Sequence, residues 1–281
     1  MQIFREAAEL QNFALTQKRA GKTIGLVPTM GFLHAGHASL IDIARSKSDL
    51  VIVSIFVNPT QFGPTEDLDK YPRDFDRDVA LCAEHGVDAI FAPEPDSMYA
   101  PDASTWVEET VLSKVLCGKS RPIHFRGVTT VVAKLFNLAL PDIAVFGRKD
   151  AQQLLIIKRM VRDLNFPIQI IEGALIREKD GLALSSRNRY LSDDERQRAL
   201  VISRSLKAAA PIIQSAGVAA IASTVESVKQ KISAAGGKID YVEALDAETL
   251  TTPTENTKSI LLAAAVYFGT TRLIDNEFIS L

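Results

Sequence analysis

The stretch Thr23-Ile24-Gly25-Leu26-Val27-Pro28-Thr29-Met30-Gly31-Phe32-Leu33-His34-Ala35-Gly36-His37 passes from an apolar run through a glycine-flanked turn to two histidines three residues apart. Thr23–Val27 reads as a strand, and Leu40, Ile41 and Ala44 continue at helical spacing, so the histidines fall where strand gives way to helix. Backbone N–H groups and about half a positive charge gather at such a helix start, which suits a polyphosphate. Imidazoles add directional donors to phosphate oxygens, while Gly31 and Gly36 let the backbone come close. A lone histidine there would read as a cap or a surface residue. The glycine-flanked pair points instead to nucleotide phosphates.

Outward from this junction, apolar runs alternate with amphipathic stretches through the first two-thirds of the chain. That is the pattern of βα units around a parallel sheet. Thr23–Val27, Leu50–Val57, Ala89–Ala92, Ile143–Phe146 and Ile168–Ile171 are short and rich in Val, Ile and Phe, as buried parallel strands are. Val128, Val131, Val132, Leu135 and Phe136 predict one helix, and Leu154, Leu155, Lys158 and Val161 another that opens near Asp150.

The pattern changes after about residue 175. Ser192-Asp193-Asp194-Glu195 has the form of a capping box and starts a long Ala-rich helix that meets Pro211. A second helix is predicted from about Val218 to Ala235, stopping at Gly236-Gly237. Ile239–Leu245, Ile260–Val266 and Thr270–Asp275 read as strands. The expected architecture is therefore α/β, with a parallel-sheet domain over 1–175 and a smaller α+β domain over 176–281 closing over a cleft between them.

Composition limits the function. With 281 residues, 47% of them hydrophobic, the chain can build two modest cores. A net charge of −2 and a pI near 6.1 give no bulk attraction to nucleic acid or an anionic membrane. Cys82 and Cys117 are too few for a disulfide framework or a thiolate metal site. No charged-then-apolar leader opens the sequence, and no uninterrupted apolar run reaches the roughly 18 residues of a membrane span. A soluble cytoplasmic protein is expected.

Four further clusters bear on the cleft. In Phe56-Val57-Asn58-Pro59-Thr60-Gln61-Phe62, at the carboxy end of the second strand, Gln61 can donate to and accept from a hydroxylated acid, and the two phenylalanines can enclose an apolar body. Equally, Asn58-Pro59 simply starts a turn and Gln61 is solvated. In Phe146-Gly147-Arg148-Lys149-Asp150, Lys149 can neutralise phosphate and Asp150 is well placed as an N-cap, with Gln153 one turn on; a solvated charge cluster is the other reading. Leu184-Ser185-Ser186-Arg187 sets small hydroxyls beside a guanidinium, either a phosphate grip or a Ser-rich loop with surface ion pairs. The acidic run Glu66, Asp67, Asp69, Asp74, Asp76 and Asp78 reads better as a solvated helix start than as an indirect Mg²⁺ site, because no spacing defines a cage.

Together these blocks resemble the pantothenate synthetase family over nearly the whole chain. The matching stretches are Val27–His37, Ser54–Phe62, Tyr71-Pro72-Arg73, His124-Phe125-Arg126-Gly127-Val128, Phe146–Gln153, Asp180–Tyr190 and Thr271–Asn276. The His-x-Gly-His element alone would indicate only the wider superfamily of adenylyl-transferring Rossmann-like enzymes. The resemblance implies a Rossmann-like amino-terminal domain, a homodimer, and ATP-dependent condensation of (R)-pantoate with β-alanine, giving pantothenate, AMP and pyrophosphate, with Mg²⁺ accompanying ATP. By the same resemblance, Met30, Gly31, Phe32, Leu33, His34, Ala35, Gly36 and His37 line ATP together with Gly147, Arg148, Lys149, Asp150, Ile176, Leu184, Ser185, Ser186 and Arg187. Gln61 and Gln153 bind pantoate, and His37 is the general acid. Arg148 stands where the family more often has Glu or Gln, Ala174 where it has Pro, and Ile123 where a small residue is frequent.

This chemistry agrees with the residues. A carboxylate is a poor electrophile, and attack on the α-phosphorus of ATP turns it into an acyl adenylate with AMP as leaving group. His34, His37, Lys149, Ser185, Ser186 and Arg187 are the candidates to stabilise the departing pyrophosphate. No residue in these motifs is an evident base for the amine, so proximity in a closed, water-poor cleft is expected to drive the second step. A nucleotidyltransferase acting on a phosphate ester is the alternative, though it has no need of the Gln61–Gln153 pair. A tRNA-charging enzyme lacks support from charge, and a non-catalytic nucleotide-binding protein would bind ATP without producing pyrophosphate.

Overall fold

A computed structural model describes residues 1–64 and 66–281. Residue contacts divide the chain into two compact units. The first comprises Met1–Ser113, Arg121–Arg148 and Gln152–Ala174; the second comprises Lys114–Ser120, Lys149–Ala151 and Leu175–Leu281.

In the first unit the strands are β1 (Gln2–Phe4), β2 (Ile24–Thr29), β3 (Leu50–Ile55), β4 (Ala89–Phe91), β5 (Ile143–Gly147) and β6 (Gln169–Gly173). They form one sheet in the order β1-β4-β3-β2-β5-β6, every pairing parallel. The strand order reverses beside β2, so the carboxy ends of β2 and β5 diverge into the crevice where open parallel sheets take ligands. Its helices are α1 (Ala7–Arg19), α2 (Ala35–Arg45), α3 (Phe75–Glu84), α4 (Pro95–Met98), then α6 (His124–Ala139) and α7 (Ala151–Asp163); the short α5 (Cys117–Ser120) belongs to the second unit.

Alternation along the strands assigns the two sheet faces. Ile24, Leu26, Ile52, Phe91 and Ala144 pack with Leu10 of α1, Val128, Val132 and Phe136 of α6, and Leu154, Ile157 and Met160 of α7. Val27, Val51, Val53, Ile90 and Val145 pack on the other side with Leu40, Ile41 and Ala44 of α2 and Cys82 of α3. Burial on both faces explains why these strands read as continuous apolar runs. Strand β1 lies outside the expected set, because two of its three residues are exposed and it carries no apolar run.

The second unit joins the helices α8 (Asp193–Ala216) and α9 (Ile221–Ala234) to an antiparallel sheet of β7 (Lys238–Asp246), β8 (Ser259–Phe268) and β9 (Thr271–Ser280), in that order. The Ser192–Glu195 capping box forms as expected, with Glu195 N–H donating to Ser192 Oγ and Ser192 N–H to Glu195 Oε2. Pro211 does not end α8; the helix runs through it to Ala216, with Ala209 and Ile213 buried on either side. Among the described residues, Asp193–Ala234 is the segment long and apolar enough by composition to cross a membrane. Gly217, at φ 65°, divides it into two helices whose Leu200, Leu206, Ile213, Val228 and Ile232 share a core with Val242, Leu262 and Val266 of the sheet.

Candidate active site

The loop between β2 and α2 is fixed from three sides. Thr29 Oγ1 donates to the Ser54 carbonyl at 2.6 Å and accepts from Gly31 N–H at 3.1 Å. Gly31 and Phe32 take left-handed conformations, at φ 82° and 51°, the second of them unusual for a bulky residue. Asp78 of α3 holds this turn. Its buried carboxylate accepts from Phe32 N–H at 2.7 Å and from Leu33 N–H at 2.6 Å, one donor per oxygen. Burial raises the Asp78 carboxyl above its ordinary range, and the two backbone donors oppose the rise. The Arg77 guanidinium lies over the Phe32 ring, 5.0 Å from its centroid. Asp78 therefore corrects the reading of the acidic run as a solvated helix start. Asp74 does cap α3, accepting from Arg77 N–H, but Asp78 faces inward.

The loop delivers His34 to the N-cap of α2. His34 Nδ1 accepts from Gly36 N–H at 3.2 Å, and His34 N–H donates to His37 Nδ1 at 3.3 Å, an imidazole version of the capping box. The rings stack with centroids 4.1 Å apart and planes 27° apart. Since both Nδ1 atoms are acceptors, each neutral ring carries its proton on Nε2. The pair thus offers two N–H donors from stacked rings at a helix N-terminus.

Gln61 is buried, which removes the solvated reading. It ends the 3₁₀ turn Pro59–Gln61, capped by Asn58, whose Oδ1 accepts from Thr60 N–H at 3.3 Å. Asn58 Nδ2 donates to Gln61 Oε1 at 3.2 Å and to the Gly127 carbonyl at 3.1 Å, and Tyr99 OH donates to Asn58 Oδ1 at 2.9 Å. Gln61 Nε2 lies 2.9 Å from Met30 Sδ, a weak acceptor, which brings Gln61 up to the β2 loop. The Gln61 carbonyl accepts from Arg121 Nη2 at 3.3 Å and is 2.9 Å from His124 Nδ1; Arg121 also grips Glu66. Burial pulls the Glu66 carboxyl up, but its hydrogen bonds and charge pairing with Arg121 outweigh that and hold it below the usual range. Phe56 and Phe62 are core side chains, packed against Tyr99 and Tyr71 respectively.

At the end of β5, Arg148 Nε donates to Glu172 Oε2 at 2.5 Å, and Lys158 pairs with the same carboxylate. The Arg148 guanidinium is thus matched to a carboxylate on β6. Gln153 is half-buried on the first turn of α7, whereas its neighbour Gln152 is buried and donates to the Leu112 carbonyl at 2.8 Å.

In the second unit, Lys149 Nζ lies 3.8 Å from Asp150 Oδ2. Ile176 and Leu184 come together through a hairpin: Leu184 N–H donates to the Ile176 carbonyl at 3.0 Å, Arg177 bridges Ala183, and Gly181 turns the chain at φ 99°. Ser185 caps the following 3₁₀ turn, Ser186–Tyr190, by accepting from Arg187 N–H at 3.3 Å. Asn188 of that turn is buried and ties it back to the hairpin, donating from Nδ2 to Glu178 Oε1 and the Ala183 carbonyl.

Asp78, Asn58, Tyr99, Arg121 and His124 are the contacts that sequence reading missed. For Asp78 a signal existed: it lies four residues before the buried Cys82, on the inward face of α3.

A parallel α/β unit with histidine donors at the N-terminus of its second helix defines a nucleotide-using enzyme of the Rossmann-like kind. The particular family follows from comparison: the model of the family "Pantoate-beta-alanine ligase" matches residues 2–278, and the chain belongs to that family. It is 51% identical over 279 residues to the pantothenate synthetase of Thermotoga petrophila, covering 99% of this chain and 100% of that one. It is 52% identical over 277 residues to that of Moorella thermoacetica, covering 98% of each. A crystal structure of pantothenate synthetase from Thermus thermophilus superposes with a TM-score of 0.90 at 42% identity over 99% of both chains. The Francisella tularensis ligase, complexed with "Beta-gamma ATP and Beta-alanine", gives 0.83 at 35% identity, covering 99% of this chain and 97% of that one.

Proposed function

We propose that the chain joins (R)-pantoate to β-alanine in two steps through a pantoyl adenylate. In the first, a pantoate carboxylate oxygen attacks the α-phosphorus of ATP and pyrophosphate leaves. In the second, the free amine of β-alanine attacks the acyl carbon, AMP leaves, and the amine gives up a proton. The observation that carries this reading is the reciprocal His34–His37 cap, which fixes two Nε2–H donors beside the first amides of α2.

Met30 to His37, Gly147 and Arg148 of the first unit and Lys149, Asp150, Ile176, Leu184, Ser185, Ser186 and Arg187 of the second are the proposed ATP contacts. His34, His37, Lys149 and Arg187 would stabilise charge on the leaving pyrophosphate, with His37 as general acid through Nε2–H. Gln61 and Gln153 are the proposed pantoate ligands; the clamp on Gln61 from Asn58, Arg121 and His124 supports a pre-set amide. Mg²⁺ enters with ATP as part of the substrate. Among the described residues no group of three or more His, Cys, Asp or Glu could hold a metal.

The deciding experiment supplies ATP, Mg²⁺ and pantoate with and without β-alanine. One equivalent of pyrophosphate without the amine, and continuous AMP and pyrophosphate with it, is the expected result; no pyrophosphate in either case would overturn the reading. The protein is further read as a cytoplasmic homodimer, on the family resemblance and on two cysteines outside any disulfide. Sedimentation at the 30.7 kDa of one chain would refute the dimer.

Gly127 gives a second test. A Cβ there would stand 2.4 Å from the Thr60 carbonyl oxygen and 2.6 Å from Gln61 N. Gly127→Ala is expected to cost about 2–3 kcal/mol by overpacking and to raise the KM for pantoate more than that for ATP. Equal shifts in both constants would detach this contact from pantoate.

A further inference from the structure

Along β9 the buried and half-buried positions alternate from Thr271 until Asp275 and Asn276, which are both buried and both polar. Their partners across the sheet are Ala264 and Ala263, whose small side chains leave room for them. Two consecutive buried polar residues on a strand require partners on both faces. Asp275 finds Arg177, with Oδ2 accepting from Nη1 at 2.7 Å and Oδ1 from Nη2 at 3.0 Å, while Oδ1 also accepts from Asn276 N–H at 2.8 Å. Arg177 bonds in addition to Glu277 and to the Gly181 carbonyl, so it anchors the hairpin that carries Ile176 and Leu184. Asn276 Nδ2 donates to the main-chain carbonyl of Lys149 at 3.0 Å.

We infer that Asn276, oriented by Asp275 and Arg177, is a positioning residue for Lys149. A lysine is a compact charge on a flexible four-carbon stem, so its backbone sets where that stem begins. Lys149 lies in the short 3₁₀ turn Arg148–Asp150, and its carbonyl is tied by the Asn276 amide rather than by a strand ladder. Fixing that peptide fixes the Cα–Cβ direction of Lys149 and narrows the volume its ammonium samples. The same two-residue stretch secures the hairpin through Arg177, so Lys149 and the Ile176–Leu184 pair share one scaffold. The inference rests on the proposed role of Lys149 in pyrophosphate formation.

The test compares Asn276→Ala, the milder Asn276→Ser, Lys149→Ala and the doubly substituted Lys149→Ala/Asn276→Ala protein. Single-turnover pyrophosphate release is measured with ATP, Mg²⁺ and pantoate, and then pantothenate formation after β-alanine is added to the accumulated adenylate. Partial loss of folded protein lowers the amplitudes and leaves the rates, so the readout is independent of stability. Both Asn276 variants are expected to slow pyrophosphate release about tenfold and to leave the β-alanine step at its wild-type rate. The double variant is expected to be no slower than Lys149→Ala, because the two residues act as one unit. Equal slowing of both steps, additive losses in the double variant, or wild-type release in the Asn276 variants with Lys149→Ala impaired would overturn the inference. Wild-type release in Lys149→Ala would instead overturn the reading of Lys149 itself.

Discussion

His37→Ala is expected to slow pyrophosphate release by about two to three orders of magnitude while leaving the fold in place. The size follows from what the ring does. Its Nδ1 is engaged by His34 N–H, so its Nε2–H is the end that can reach a developing negative charge. Removing it deletes one preorganised donor at a helix N-terminus and also releases the stacked His34 ring, 4.1 Å away, from its neighbour. The cap itself is worth about 1 kcal/mol, too little to unfold a domain with this much buried sheet. His37→Gln separates the two roles, since a glutamine amide can return an N–H near the Nε2 position. It is expected to recover about tenfold over alanine. Rates within about threefold of wild type for His37→Ala, in single-turnover quench measurements, would remove His37 from the chemistry. The circular dichroism spectrum checks that the helix survives.

Much of this site was legible because its order is local. The i, i+3 spacing of His34 and His37 is the spacing of a capping box, and a strand-to-helix junction is visible as a change of apolar period from continuous to helical. The parallel strands were legible for a related reason: burial on both faces makes each an uninterrupted apolar run, and the observed β2 to β6 fall within two residues of the expected stretches. Order that depends on distant partners left no such trace. The clamp on the Gln61 carbonyl comes from Arg121 and His124, some sixty residues on. The ion pair of Arg148 was not visible in the sequence because its partner Glu172 sits on the neighbouring strand. Asn276 stood at the end of a stretch of family resemblance with no contact attached to it, because its acceptor at Lys149 lies 127 positions earlier. The helix through Pro211 shows packing overriding propensity: Ala209 and Ile213 are buried on either side, and their core contacts carry α8 past the missing N–H.

Asp78→Ala is expected to destabilise the protein by about 3 kcal/mol and, in the fraction that remains folded, to slow pyrophosphate release by about a hundredfold. The donors Phe32 N–H and Leu33 N–H both lose the carboxylate that accepts from them, and each buried donor orphaned in this way costs about 1–3 kcal/mol. The left-handed Phe32 loses the same restraint against relaxation toward negative φ, and any such movement carries His34 with it, two residues on. Asp78→Asn keeps the volume but presents an NH₂ group to one of the two N–H donors, so it should retain much of the stability and little of the geometry. Titration gives an independent check. Because burial raises the Asp78 carboxyl, the folded protein holds that proton at a pH where the unfolded chain has released it. Wild-type stability therefore falls as pH rises from the ordinary carboxylate range through the raised value, and Asp78→Asn, which cannot ionise, should lack that share of the slope. Denaturant unfolding at a series of pH values reads both effects. Parallel pH profiles for the two proteins would mean that the Asp78 carboxyl is not raised, and full activity in Asp78→Asn would mean that the His34–His37 pair holds its place without it.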